Sequence, residues 1–403
     1  MAGNEMNPVL LGVFCLMMIL SGATLGVVLK LQSNVEIDGK KFEHPFFLVL
    51  VMFIGEALCI FFYIGEKMYL KNKYGSVEES PEMKGAVAKG LRTDINPLLL
   101  AIPMLCDSGA TALLMIAYIN IPASIAQMMG GFVVFIVAIF SIIFLKARFF
   151  RHHWLGLCFV FVGICLVATA ALIDKNGGDE NGSVALGVIL MVFSIAVQGS
   201  QFIVEEKLLS SYYLSPFKAV GWEGITGCFL WSVLLIIFQY IPCDGTICNN
   251  GRVENTRVAF DFIGDSVPLV FFLLGNIIFV AGMNGLGMIV TKYASAATRV
   301  ILQQTKTVLV WIFFLIYPHG GHENFKVLQL IGFLVLLVGV ILYNEILVLP
   351  FLGFNANTKK ALAQKKMRTG SLISGSERSM SIKAQEMDPL LTEEQTKGNE
   401  NGD

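Results

Sequence analysis

Ser295 to Pro318 reads SAATRVILQQTKTVLVWIFFLIYP, an apolar stretch of helical length with two cations in its first half. At about 100° of turn per residue, Ser295, Arg299, Gln303 and Lys306 share one narrow stripe, while Val300, Ile301, Val308 and Trp311 fall elsewhere. A charge near mid-helix in a bilayer costs on the order of 2.5 to 3.5 kcal/mol by insertion scales, so such residues face a bundle interior or a water-filled cavity. The segment is therefore expected to line a pathway for an anionic group, with Arg299, Gln303 and Lys306 as its polar contacts.

The rest of the chain has the composition such a segment needs. Of 403 residues, 55% are hydrophobic and only 15% charged, with a mean hydropathy of +0.69. That is too apolar for a soluble domain and predicts an integral membrane protein. Runs of about 20 apolar residues cover the hydrocarbon layer. Ten can be read off: Pro8 to Leu29, Phe46 to Ile64, Pro97 to Tyr118, Pro122 to Leu145, His153 to Ile173, Val184 to Val204, Pro216 to Tyr240, Val267 to Thr291, Ala296 to Tyr317 and Val327 to Leu349. The first lacks a basic leader and a small-x-small cleavage site, so it reads as a retained span. The near-zero net charge of -1 and the lack of a basic soluble region exclude nucleic acid as a partner. No phosphate loop, HExxH, CxxC or serine elbow occurs, so neither an enzyme nor a cofactor is expected. His152 and His153, at a span boundary, read as interfacial rather than metal-binding.

Spans six to ten repeat spans one to five at an offset of roughly 170 to 177 residues. Gly22 with Lys30 matches Gly199 with Lys207, and His44-Pro45-Phe46 matches Ser215-Pro216-Phe217. Leu114-Met115-Ile116 before Ala123-Ser124 matches Gly287-Met288-Ile289 before Ala296-Ala297. Gly156 with Gly163 matches Gly332 with Gly339. An odd number of spans per copy inverts the second, which predicts an all-α membrane fold of two inverted five-helix repeats, residues 1–173 and 184–350, with a solvated tail over 351–403. In this register Ser295, Arg299 and Gln303 correspond to Pro122, Ala126 and Gly130. The small residues either leave room beside the charged helix or allow close helix packing.

Lys and Arg gather on the side shared by the two termini, which is therefore expected to be cytoplasmic. The loop holding Cys243 and Cys248 then faces the lumen, where the two form a disulfide or stay as free thiols. Gly65 to Asn96, charged and mixed, is expected to be partly disordered. In the tail, Glu386 followed by Leu390 and Leu391 has the pattern read by clathrin adaptors, which predicts endosomal or lysosomal sorting.

Several polar residues lie inside spans. Glu56 reads as a structural partner for a cation and Asp107 as a proton acceptor in a coupled carrier, while Glu223 fits either role. Gln198, Gln201 and Glu205 share a face of the sixth span. Glu205 is placed to meet Arg299 as a gate, since both lie towards the cytoplasm. Gln127, Gln198, Asn276 and Asn284 are candidates to bond solute or a neighbouring helix.

These residues resemble a known group. Gly55-Glu56, Asn96-Pro97-Leu98-Leu99, Leu105-Cys106-Asp107, Gln127-Met128, Glu205-Glu206-Lys207, Leu274-Gly275-Asn276, Val290-Thr291-Lys292 and Thr298-Arg299 are similar to motifs of the drug/metabolite transporter superfamily, within it the F branch of solute carrier family 35. The resemblance covers all ten spans. It implies a ten-helix fold with a central cavity lined by the fourth and ninth spans, kinship with nucleotide-sugar transporters, and a lysosomal, mitochondrial or Golgi membrane. The chain departs from the pattern at Gln127-Met128-Met129-Gly130-Gly131, where relatives tend to carry a cation. The function expected is secondary transport of an organic, anionic solute by alternating access. The alternative is a membrane adaptor or regulator that moves no solute.

Overall fold

In a computed structural model the chain is described over residues 6–32, 35–37, 40–42, 44–120, 130–172, 184–243, 251–317, 327–347, 358 and 361. Apart from a hairpin of two-residue strands, Glu36–Ile37 with Lys40–Lys41, its regular structure there is helical. In chain order the helices are α1 (Pro8–Gln32), α2 (Pro45–Ala57), α3 (Cys59–Tyr74), α4 (Pro81–Ala88), a short 3-10 turn (Pro97–Leu100), α5 (Ala101–Asn120), α6 (Val133–Leu145), α7 (Arg151–Leu172), α8 (Val184–Ser211), α9 (Pro216–Phe238), α10 (Thr256–Asp265), α11 (Val267–Tyr293), α12 (Ala296–Ile316) and α13 (Val327–Tyr343). Six helical segments among the described residues are long and apolar enough to cross a membrane: Pro8–Gln32, Pro45–Tyr74, Pro97–Leu114, Leu186–Ser211, Pro216–Phe238 and Val267–Tyr293. Shorter apolar helices cover Val133–Leu145, Arg151–Leu166 and Leu330–Tyr343. The chain is a multi-pass membrane protein.

Local sequence explains where these helices begin. Proline, whose missing N–H is no loss in the first turn, opens α2 and α9. Side-chain caps hold other starts: Ser266 accepts from Leu269 N at 3.3 Å and Ser295 from Thr298 N at 3.0 Å. The Gly65 to Asn96 connection is ordered, contrary to expectation. The second crossing runs on to Tyr74, Ser80 caps α4 by accepting from Met83 N, and Arg92 pairs through its backbone with Ser211 and Tyr213. These bonds tie the connection to the end of α8 despite its polar composition.

Packing is pairwise. The described helices associate as α1 with α11, α2 with α9, α5 with α8 and α7 with α13, while α6 lies on α8 and α12, and α1 also meets α12. Small residues set the closest crossings. A Cβ on Gly163 would stand 2.6 Å from Leu336 N, and one on Gly339 would stand 2.6 Å from Val160 N, so the backbones of α7 and α13 touch there. Gly224 of α9 lies closer still to the Glu56–Ala57 backbone of α2. Outside this packing the surface is apolar: Phe61, Phe229, Val267 and Ile316 are each at least 66% exposed. Such a surface needs lipid to cover it.

Candidate functional site

Helix α12 carries the polar stripe into the bundle. Its first turn is held from outside, because Glu206 Oε2 accepts from Ala296 N at 2.8 Å, setting a carboxylate at the positive end of the helix. One turn on, Arg299 is 2% exposed. Its Nη1 donates to Glu205 Oε2 at 2.5 Å, its Nη2 meets Asn284 Oδ1 at 3.4 Å, and its guanidinium lies 4.8 Å from the centre of the Phe202 ring. Gly287 leaves the space, since a Cβ there would stand 2.6 Å from Arg299 Nε. Gln201 Nε2 donates to the other oxygen of Glu205 at 3.0 Å. Asn284 Nδ2 donates to Glu56 Oε1 at 2.6 Å. A continuous polar chain thus runs Gln201, Glu205, Arg299, Asn284, Glu56 and links α8, α12, α11 and α2.

Two further acids join it. Asp107 of α5 and Glu223 of α9 are electrostatic neighbours of both Glu205 and Arg299, and Glu223 also of Glu56. The structure therefore gathers Glu56, Asp107, Glu205 and Glu223, read separately from four different spans, around one guanidinium. Glu56 meets the cation through Asn284 rather than directly. Glu56 and Glu223 are 2% and 4% exposed, and Oε2 of the first and Oε1 of the second lack a hydrogen-bond partner.

Lys306 stands apart from this cluster. It is half-buried against Gly22 of α1, and its Nζ faces Met283 Sδ at 3.6 Å. A thioether is a weak acceptor, so this ammonium has little to neutralise it. Gln303 and Gln198 are half-buried. Gln127 lies outside the described residues, as do Glu386, Leu390 and Leu391. Cys243 is disulfide-bonded, whereas Cys15, Cys59, Cys106, Cys158, Cys165 and Cys228 are free. Cys248 is outside the described residues.

A cavity of about 490 Å³ opens between α2, α5 and α9, lined by Phe46, Ser108, Trp231, Phe238, Cys243 and Val253 among others. Arg299, Gln303 and Lys306 do not line it. The cavity runs from Leu105 and Ser108, on either side of Asp107, to Phe238 and Cys243, and the Arg299–Glu205 pair lies outside its lining. Glu205 sits just before α8 turns into α9, and Phe238 and Cys243 lie where α9 ends.

Sequence reasoning missed two partners. Phe202 carries no polar signal, and its role follows only from the ring lying against the guanidinium. Glu345 comes from beyond the last helix and brings its carboxylate within 3.1 Å of His152 Nε2 and 3.8 Å of His153 Nε2. Glu345 thus ties the two histidines into the junction of α7 and α13. Phe150 N donates to His153 Nδ1 at 3.1 Å, which leaves Nε2 of that neutral ring as the N–H facing Glu345.

No family model matches the chain. Human solute carrier family 35 member F6 is 34% identical over 316 residues, covering 77% of this chain and 81% of its own. An uncharacterised protein of Schizosaccharomyces pombe is 28% identical over 83% of this chain and 98% of its own. The zebrafish UDP-xylose and UDP-N-acetylglucosamine transporter is 24% identical over 52% of this chain and 63% of its own. A solved crystal structure with 12% identity shares the fold, with a TM-score of 0.54 over 84% of this chain and 99% of that one. With 34% identity to a named carrier across most of both chains, and with its polar residues turned into a helical bundle, the chain belongs to solute carrier family 35, whose members are carriers rather than enzymes.

Proposed function

We propose that the protein is a secondary-active carrier of an organic anion, working by alternating access between two inverted five-helix halves, residues 1–173 and 184–350. The helix pairings support this. Exchanging the halves turns α1 with α11 into α8 with α5, and α1 with α12 into α8 with α6. It returns α2 with α9 and α7 with α13 to themselves. Single residues follow the same exchange: Gly156 meets Gly339 O, and Gly163 meets Gly332 O. Gly22 meets Lys306 on α12, and its counterpart Gly199 meets Ile136 on α6, one turn from Val133, the counterpart of Lys306.

The observation that carries the reading is a buried ion pair, Arg299 with Glu205, set beyond the lining of a cavity that reaches the neighbours of Asp107. Arg299 and Glu205 shut the end where α8 passes into α9, and solute enters from the opposite end. Breaking the pair opens the closed end, so Glu205 acts as a gate, with Asp107 and Glu223 as the coupling groups beside it. Lys306, lacking a strong acceptor, holds the anionic group of the solute, with Gln303, Gln198 and Gln127 as hydrogen-bonding groups. A nucleotide sugar is the first solute class to test, because a relative bears that activity in its name.

The test is uptake into liposomes by the purified full chain, across nucleotide sugars and other organic anions. Lys306→Ala should abolish uptake while leaving the melting temperature within a few degrees of the original. Uptake unchanged by this substitution removes the site. If the purified protein moves no solute, the adaptor reading replaces the carrier.

We also place both termini in the cytoplasm, with Cys243 joined to Cys248 in a lumenal loop. The 351–403 tail then presents Glu386, Leu390 and Leu391 to a clathrin adaptor and directs the protein to lysosomes.

A further inference from the structure

Four carboxyl groups from α2, α5, α8 and α9 share one guanidinium inside the bundle. Only Glu205 touches it. Carrying all four as anions is not sustainable there, because each unpaired charge costs several kcal/mol in a setting without water to solvate it. The surroundings decide which ones are neutral. Glu205 has Arg299 as its counter-ion, and Asp107 is only half-buried, one residue from Ser108 on the cavity wall. Glu56 and Glu223 are closed in by the contact of Gly224 with the α2 backbone, each with a buried oxygen that no described residue bonds. The groups facing them are Asp107, Glu205, Arg299, Asn284, Cys59 and, beside Glu56, Cys228. Among the described residues no cation contacts either carboxyl. With both neutral, the carboxyl groups of Asp107 and Glu205 remain beside Arg299 and its electrostatic neighbour Lys306.

We propose that Glu56 and Glu223 form a proton-binding site and that the proton is the ion coupled to solute movement. The coupling rests on the carrier reading above; the proton site does not. Each carboxyl takes its proton from water on the side to which the bundle is open and returns it to water on the other, so no further reactant is consumed.

Infrared spectroscopy of the full chain in liposomes, at neutral pH and without Na⁺, tests the site directly. The wild-type protein should give the carbonyl stretch of a protonated carboxyl group. Glu56→Gln and Glu223→Gln should each remove part of it, and the double variant should remove what these two contribute. Glutamine copies the size and neutrality of the acid, so these variants should keep the wild-type melting temperature. An unchanged band in the double variant overturns the proposal. So does a band erased by adding Na⁺, which would make the site one for that ion instead. In the same liposomes an imposed pH gradient should change the initial rate of solute uptake in the wild type and not in Glu223→Gln; an equal response in both overturns the coupling. Because the infrared measurement uses no solute, its failure removes the proton site and leaves the carrier reading standing. Absent uptake with the band present removes only the carrier reading.

Discussion

Removing Arg299 should be among the most damaging substitutions in the bundle, and the structure sets its size. Arg299→Ala deletes the 2.5 Å ion pair with Glu205, the contact with Asn284 and the packing on Phe202. It leaves Glu205, whose side chain is 1% exposed, with only the Gln201 amide. Stranding one member of a buried pair costs about 3 to 5 kcal/mol. Glu205→Gln should cost less, roughly 1.5 to 3 kcal/mol, because the guanidinium keeps Asn284 and the Phe202 ring and loses only a charge-assisted bond. The combination Arg299→Met with Glu205→Leu removes both charges and fills the space. It should lie within about 1 kcal/mol of wild type, since apolar replacement of a complete buried pair is often neutral. Equilibrium unfolding in mixed micelles, followed by circular dichroism for wild type, Arg299→Met, Glu205→Leu and their combination, supplies the coupling energy. If the losses simply add, so that the double variant is as unstable as its parts predict, the two residues do not act as a pair and the gate has no basis.

Further tests follow from other contacts. Gly163→Ala and Gly339→Ala each drive a methyl into backbone at the α7–α13 crossing and should destabilise by about 1 to 3 kcal/mol, measured in the same unfolding assay. A thiol-alkylating reagent applied to the unfolded protein should label two more cysteines after reduction than before it, read by intact mass; equal labelling would mean that Cys243 has no stable disulfide. His44→Ala removes the 2.6 Å bond to Glu254, leaving a carboxyl that is 1% exposed with the Asn255 N–H as its remaining donor, and should lower stability by about 1 to 3 kcal/mol. Replacing Leu390 and Leu391 with alanine should move the protein from lysosomes to the cell surface, visible by surface labelling.

Much of the helical layout was legible in the sequence, because a bilayer leaves a chain few choices. A long apolar run must satisfy its own backbone and so becomes a helix, with proline and serine marking where it starts. The cations of α12 announced themselves for the same reason: charge in such a helix is expensive and has to be met by something. The sequence did not say by what. Periodicity places Arg299 and Lys306 on one stripe, yet Arg299 ends in a carboxylate and an aromatic ring while Lys306 ends against a thioether. A few ångströms along a helix therefore separate a closed ion pair from an ammonium still in need of an anion. The convergence of Glu56, Asp107, Glu205 and Glu223, and the reach of Glu345 to His152 across 193 positions of chain, depend on which helix lies against which. Helix formation is local and written in each segment. Charge pairing between segments depends on distances of a few ångströms that arise only once the bundle has packed.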